Sequence, residues 1–191
     1  LTRDLTVTGD VSVTGTLTGN ASAISMGSLT INSGGTYSAT SGTTTITSEN
    51  SGTGIAWNNT GGTFTHNSGL VSVTTPANTI IRENTFHNFE MTADSSSREY
   101  EIRDVSGNTI TIANDLTVKE GILKRTTAGD TFTVTGDCTI ESGGQIGYSN
   151  DESGATNFGS LTINSGGTLK ATTGTTTITS RTSGTYALDI N

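Results

Sequence analysis

The sequence has little of what most folded domains use to build and brace a core. It contains one cysteine, so no internal disulfide can form, and one proline, so the chain is not a proline-rich linker. Aromatic residues make up 5% of the chain and hydrophobic residues 30%. A compact globule would struggle to fill a single central core with so few large side chains.

Basic residues are also scarce. Nine Lys and Arg stand against 17 Asp and Glu, which gives a net charge of −8. Binding to nucleic acids or to anionic membrane surfaces needs clustered cations, and these are scattered. No apolar run approaches the length of a membrane span. The sequence therefore predicts neither a nucleic-acid partner nor membrane insertion.

The chain does contain short apolar alternation broken by turn residues. In LTVTGDVSVTGTLTG, Leu5 and Val7 share one side, Gly9 and Asp10 turn the chain, and the pattern restarts at Val11. Strict alternation predicts strands, and Thr and Val suit them because branching at Cβ fits a pleated surface. The pattern continues to the end without a helical stretch, which argues against disorder.

One phrase occurs twice. GSLTINSGGTYSATSGTTTITS spans residues 27–48, and GSLTINSGGTLKATTGTTTITS spans residues 159–180. Short strands with two or three apolar residues each cannot bury much alone, but stacked coils share one continuous core. We therefore predict an all-β fold, a parallel β-helix (β-solenoid) with coils of roughly 20–26 residues. The two copies are expected to be one coil used twice, with Tyr37 and Leu169 on the same face.

The expected organisation is an N-terminal short-strand segment, residues 1–26, followed by the solenoid, residues 27–191. Equivalent Thr, Ser and Asn side chains should hydrogen-bond along the axis. The chain begins without Met or a signal peptide and ends partway through a repeat, so we expect a fragment of a longer protein.

The alternation of residues along each strand also predicts which side chains point inward. Thr30, Thr133 and Thr162 should point outward. The predicted core residues are Leu29, Ile31, Ile46, Phe64, Val73, Ile112, Val118, Phe132, Val134, Ile140, Leu161, Ile163 and Ile178.

Three stretches carry a resemblance: LTVTGDVSVTGTLTG, the F-x-S-L-T-I-N-S-G-G-T phrase from Phe158, and NDLTVKEGILK with FTVTGDCTIESGGQI. With them the chain resembles the Thr/Gly-rich β-helical segments of bacteriophage tail fibres and virion structural proteins, and bacterial surface adhesins with β-helix repeats. The resemblance implies an extended, rigid, right-handed parallel β-helix on a virion or outside the cell. It also implies that a trimer is possible.

The densest charged stretch is EMTADSSSREYEIRD, residues 90–104. Glu99 and Glu101 share a strand face, and a glycosidase needs two carboxyl groups roughly 5–9 Å apart. Arg98 and Arg103 interleave with these acids, however. The alternate positions, Tyr100 and Ile102, are predicted to point inward. The favoured interpretation is therefore that the charged side chains form a solvated face.

Metal sites are not predicted. The loop GYSNDESGATN, residues 147–157, has oxygen ligands suited to Ca²⁺ but lacks the spacing of a known calcium loop, so an acidic turn is favoured. The loop's candidate ligands are Asn150, Asp151 and Glu152. His66 and His87 are the only histidines, and a zinc site needs about four ligands.

Two single residues could also serve a function. An exposed Trp57 would suit a sugar, but it shares parity with Ile55 and is predicted to be in the core. Cys138 shares parity with Ile140 and is predicted to be buried.

Threonine pairs raise the possibility of ice binding by a flat Thr surface, although they are irregularly spaced and interrupted by charges. These pairs are Thr6/Thr8, Thr63/Thr65, Thr109/Thr111 and Thr133/Thr135.

The sequence favours a non-enzymatic structural or adhesive segment of a virion fibre or cell-surface protein, with no catalytic, cofactor or metal site. The alternatives are a polysaccharide-degrading β-helix and an ice-binding solenoid. Because open end coils are exposed edges, we expect a homo-oligomer, and a host-surface polysaccharide is a possible partner.

Overall fold

The computed structural model describes residues 1–105, 109–125, 129–148, 153–170, 172–179 and 186–191. These residues form strands, turns and extended connections, and none of them lies in a helix. Accordingly, this part of the chain contains no helix that could cross a membrane. The predicted all-β class is confirmed.

Twenty-two strands are present in the described part of the chain, and most of them are short. In chain order they are β1 (Leu5–Val7), β2 (Val11–Val13), β3 (Thr16–Asn20), β4 (Ile24–Met26), β5 (Leu29–Ile31), β6 (Thr36–Thr40), β7 (Thr43–Ile46), β8 (Ile55–Asn59), β9 (Thr63–Thr65), β10 (Leu70–Val73), β11 (Thr79–Arg82), β12 (Thr85–Phe86), β13 (Asn88–Thr92), β14 (Glu99–Arg103), β15 (Thr109–Ile112), β16 (Leu116–Arg125), β17 (Thr131–Ile140), β18 (Gly144–Ile146), β19 (Thr156–Ile163), β20 (Thr168–Leu169), β21 (Thr176–Ile178) and β22 (Leu188–Ile190).

The strands stack in parallel into three columns, which form the three faces of a β-solenoid. The first face contains β1, β4, β7, β10, β13, the start of β16, the ends of β17 and β19, and β22. The second contains β2, β5, β8, β11, β14, the end of β16, β18 and β20. The third contains β3, β6, β9, β12, β15, the starts of β17 and β19, and β21.

Coil length varies more than the sequence predicted. On the first face, Thr43 pairs with Leu70, Leu70 with Asn88, and Phe89 with Leu116. The step from Leu70 to Asn88 is only two thirds as long as the step before it and the step after it, so the shortest coil lies between two long ones. On the first face β7, β10 and β13 keep their register through this change, whereas the register shifts between Ile80 and Ile81 on the second face and between Met91 and Thr92 on the first. The connections at the corners absorb most of the difference in length.

The core fills the space between the three faces. Ten of the thirteen predicted core residues are buried, and Phe64, Ile163 and Ile178 are partly buried but packed against the core. Ile163 and Ile178 lie near the C-terminal end, where fewer coils cover them. Thr30 lies on the outward side of β5, between two buried neighbours, as predicted.

An aromatic cluster compensates for the scarcity of aromatic residues. Trp57 lies at its centre, with ring centroids 4.8 Å from Phe64, 5.4 Å from Phe86 and 5.9 Å from Tyr37. Phe86 continues the cluster to Phe89 at 4.9 Å. All three faces contribute to it, so it joins successive coils across the core.

The duplicated phrase does not occupy the same faces in its two copies, and this prediction was wrong. In the first copy, Leu29 lies on the second face and Tyr37 on the third. In the second copy, Leu161 lies on the first face and Leu169 on the second. The copies are therefore rotated by one face, because the distance between them along the chain corresponds to a whole number of coils less one third.

Both copies nevertheless make the same contacts with the preceding coil. Ser28 Oγ donates to Asp10 Oδ1 at 2.6 Å, and Ser160 Oγ donates to Asp137 Oδ1 at 3.1 Å. Both aspartates belong to a Thr-Gly-Asp triplet, residues 8–10 and 135–137. The phrase thus specifies a strand and the contacts of that strand with the preceding coil, whichever face the strand lies on. The predicted hydrogen bonding of Ser and Asn side chains along the axis is confirmed by Asn32 Nδ2, which donates to Ser12 Oγ on the preceding coil at 2.8 Å.

Glycine at the start of the phrase permits this close stacking. A Cβ on Gly27 would lie 2.7 Å from the carbonyl oxygen of Gly9, and one on Gly159 would lie 2.1 Å from that of Thr135. Neither contact is sterically allowed, so any larger residue would push the coils apart.

The charged side chain of Arg125 points into the solenoid. Arg125 is in register with the inward Ile102 and is buried. Its guanidinium donates to the carbonyl oxygens of Asp130 at 2.7 Å and Ala155 at 3.1 Å, and to Thr156 Oγ1 at 3.1 Å. A buried charge needs such partners, and two of them, Ala155 and Thr156, belong to the following coil.

Phe132 provides a test of the core. It is buried on the third face, so Phe132→Ala should lower the free energy of unfolding by about 3–5 kcal/mol through loss of burial and creation of a cavity. Thr30→Ala, on the outward side of β5, is the control and should change it by no more than about 0.5 kcal/mol. Chemical denaturation measures both, and equal small losses would contradict the assigned register.

Candidate functional site

The charged stretch at residues 90–104 forms a compensated surface. Lys124 Nζ lies 2.5 Å from Glu99 Oε2 and 3.9 Å from Glu101 Oε2, and Arg103 forms a second ion pair with Glu101. Tyr100 is buried, as its parity predicted. The two carboxylates thus share a cation.

Three further charges of this stretch, Glu90, Asp94 and Arg98, also form ion pairs. Arg98 Nε lies 2.8 Å from Asp94 Oδ1, and Lys119 Nζ lies 2.8 Å from Glu90 Oε2. Both pairs are largely exposed, so each adds little stability. The exposed pair of Arg98 and Asp94 agrees with the predicted solvated face. Glu101 is buried, however, so the prediction was wrong for that residue, whose carboxylate is held by the ion pairs to Lys124 and Arg103. The absence of catalysis here stays a prediction.

The acidic loop at residues 147–157 is only partly described. Asn150, Asp151 and Glu152 lie outside the described residues. Elsewhere in the described part of the chain, no group of three or more His, Cys, Asp or Glu side chains could hold a metal ion.

The structure brings the two histidines together, which the sequence analysis missed. The rings of His66 and His87 stack with centroids 5.2 Å apart and planes inclined by 17°. His66 Nδ1 accepts the backbone N–H of Ser68 at 3.2 Å. Burial, and secondarily the neighbouring His87, lowers the pKa of His66. Their separation by one short coil was the signal that could have revealed this pair.

Trp57 and Cys138 are both in the core, as predicted. Trp57 is fully buried within the aromatic cluster and so offers no surface to a sugar. Burial raises the pKa of the Cys138 thiol well above its ordinary range, so this residue behaves as a small apolar side chain.

The third face carries a row of threonines on its outward side that is more regular than the sequence suggested. One run is Thr16, Thr36 and Thr63, and the other is Thr85, Thr111, Thr133, Asn157 and Thr177. Neighbouring members are one inter-strand distance apart, about 4.8 Å. Variable coil lengths hid this alignment.

A recess interrupts the third face between the two runs. It has a volume of about 960 Å³ and is lined by residues 59–64, 82–84 and 103–105, from three successive coils. Each segment connects the second face to the third. The middle connection, residues 83–84, has one residue fewer than the preceding connection, residues 60–62. The recess lies where β9 and β12 are not paired with each other among the described residues.

Glu83 lies beside this recess with its side chain buried. Its carboxylate accepts Asn59 Nδ2 at 3.0 Å and the backbone N–H of Asn84 at 2.8 Å. Asn59 Oδ1 in turn accepts the N–H groups of Gly61 and Gly62, which fixes the amide's orientation. Burial raises the pKa of Glu83, and the hydrogen bonds offset part of that effect.

Comparison with models of protein families, with curated proteins and with solved structures found no match for this chain. The candidate surfaces are therefore interpreted from their own geometry.

Glu83 predicts a pH dependence of stability. Because its pKa is raised in the folded protein, its contribution is complete below the ordinary Glu pKa and falls as pH rises through the raised value. As the pH rises between these two pKa values, the free energy of unfolding of the wild-type protein should fall relative to that of Glu83→Gln. Urea denaturation at several pH values measures the difference. The test is how the difference in stability between the two proteins changes with pH, because Gln also changes the group that bonds to Asn59 and can shift the stability at every pH. Curves of stability against pH that run parallel for the two proteins would contradict the raised pKa of Glu83.

Proposed function

We propose that this chain is a non-enzymatic structural segment of a fibre, on a virion or a cell surface. The observation that carries the proposal is the parallel stacking of strands on all three faces. Each coil hydrogen-bonds to the coils before and after it, which gives stiffness along the axis without a large central core. The nine strands of the first face extend about 38 Å at the inter-strand spacing.

A homo-oligomer is the proposed form, and the trimer rests on the resemblance to phage fibres. Tyr186, Leu188 and Ile190 are exposed large apolar side chains on or next to β22, and a second copy of the chain could cover them.

Sedimentation equilibrium tests the assembly. The wild-type chain should form an oligomer, and Ile190→Lys should weaken it by placing a charge among the exposed apolar residues. Thr30→Lys, a change to the same residue type away from the end coil, should leave the oligomer intact. A wild-type chain that remains monomeric at all concentrations would contradict the proposal.

A reducing-sugar assay on host polysaccharide addresses the enzymatic alternative. No reducing ends should be released. Turnover that disappears in the double variant Glu99→Gln/Glu101→Gln would identify a polysaccharide-degrading enzyme instead.

The row of threonines favours ice binding as a second candidate. Within each run, hydroxyl and methyl groups repeat at a constant spacing except at Asn157, an arrangement that could order water in a lattice. We expect thermal hysteresis that is abolished by Thr111→Lys in the middle of the row. Thr117→Lys, on the outward side of the first face, is the matched control. Absence of hysteresis in the wild-type protein would exclude this candidate.

A further inference from the structure

The recess on the third face contains a cation that the fold does not use. Arg82 lines the recess and is half-buried. No residue in the described part of the chain forms a hydrogen bond or ion pair with its guanidinium. Its neighbour Arg103 differs, because it is paired with Glu101.

Arg82 faces a like charge on the next coil, although two acidic residues, Glu83 and Asp104, also line the recess. Arg82 is in register with Arg103 on the next coil, and like charges directly opposite each other in a sheet are destabilising. A half-buried, unpaired guanidinium also loses part of its hydration without compensation. An anion in the recess would supply the missing partner, and a carboxylate matches the planar fork of Arg.

The opposite side of the recess is suited to hydroxyl groups. In the described residues, β9 pairs with β6 alone, so the backbone N–H and C=O groups on its other edge have no partner strand. Thr63 adds an exposed hydroxyl, and the partly buried ring of Phe64 offers an apolar surface. β9 has only three residues, which is too short to hold a peptide mainly by strand pairing.

We propose that the recess is a binding site for an acidic saccharide of the uronic acid class. Arg82 binds the sugar carboxylate, the free edge of β9 and Thr63 bind hydroxyl groups, and Phe64 contacts the apolar side of a sugar ring. The volume of about 960 Å³ lies within the range of small-molecule sites and exceeds a single sugar, so a short oligosaccharide fits. This site does not depend on the proposed structural function.

Titration of the isotopically labelled chain, followed by NMR of the backbone amides, tests the proposal. The probes are trigalacturonate, maltotriose as the neutral saccharide, inorganic phosphate, and triaspartate as an acidic peptide. Trigalacturonate should shift the amides of Gly61, Gly62 and Asn84 saturably, and at least tenfold more tightly than the other three probes. Arg82→Gln should abolish this binding, and Arg98→Gln, which removes an arginine outside the recess, should preserve it.

The other outcomes overturn the proposal. Equal binding of maltotriose would remove the role of the carboxylate, and equal binding of phosphate would show only an exposed positive charge. Tighter binding of triaspartate would indicate a peptide site, and no saturable shifts would exclude a site.

Stability provides an independent readout. Because Arg82 has no partner in the described residues and faces Arg103, Arg82→Gln should fold with unchanged or higher stability. If it fails to fold, Arg82→Lys keeps the charge and removes the planar fork, and it should weaken trigalacturonate binding at least tenfold. A loss of stability in Arg82→Gln without any loss of binding would assign the residue a structural role and overturn the proposal.

Discussion

Parallel backbone hydrogen bonding between successive coils is the interaction on which the rest of this structure depends. Each coil contributes one strand to each of three faces, and register on the first face is kept even where one coil is a third shorter than its neighbour. A strand that pairs on both sides needs only one or two inward apolar residues. This explains how a chain with 5% aromatic residues can form a continuous core.

Variation in coil length then generates the surface features. The shortest coil lies between two coils that are half as long again, and the recess on the third face is lined by residues of all three coils. The same interruption leaves one edge of β9 without a ladder and Phe64 only partly covered. It also brings His66 and His87 together at a corner. The recess, the free edge of β9 and the histidine pair therefore all lie in the coils of irregular length.

Alternation in the sequence predicted the fold class and most of the core because inward and outward parity is a local property of each strand. It placed Trp57, Cys138 and Tyr100 correctly for the same reason. Which strands become neighbours depends on the total length of the strands and connections between them. The alternation of residues within one strand carries no information about that length. The threonine row, the histidine pair, the recess at Arg82 and the rotation of the duplicated phrase all depend on it. Arg125 was missed because two of the three groups that accept hydrogen bonds from its inward guanidinium lie on the next coil.

The rotated copies of the duplicated phrase have a consequence for how such a gene can change. Recombination between the two copies would delete residues 27–158 and join Met26 directly to Gly159. The phrase would then follow a strand of the first face, as it does at Gly27, and its first strand would continue onto the second face. The shortened product would keep the order of faces, although the deleted stretch is not a whole multiple of one coil. Length in this solenoid can therefore evolve in steps of one face.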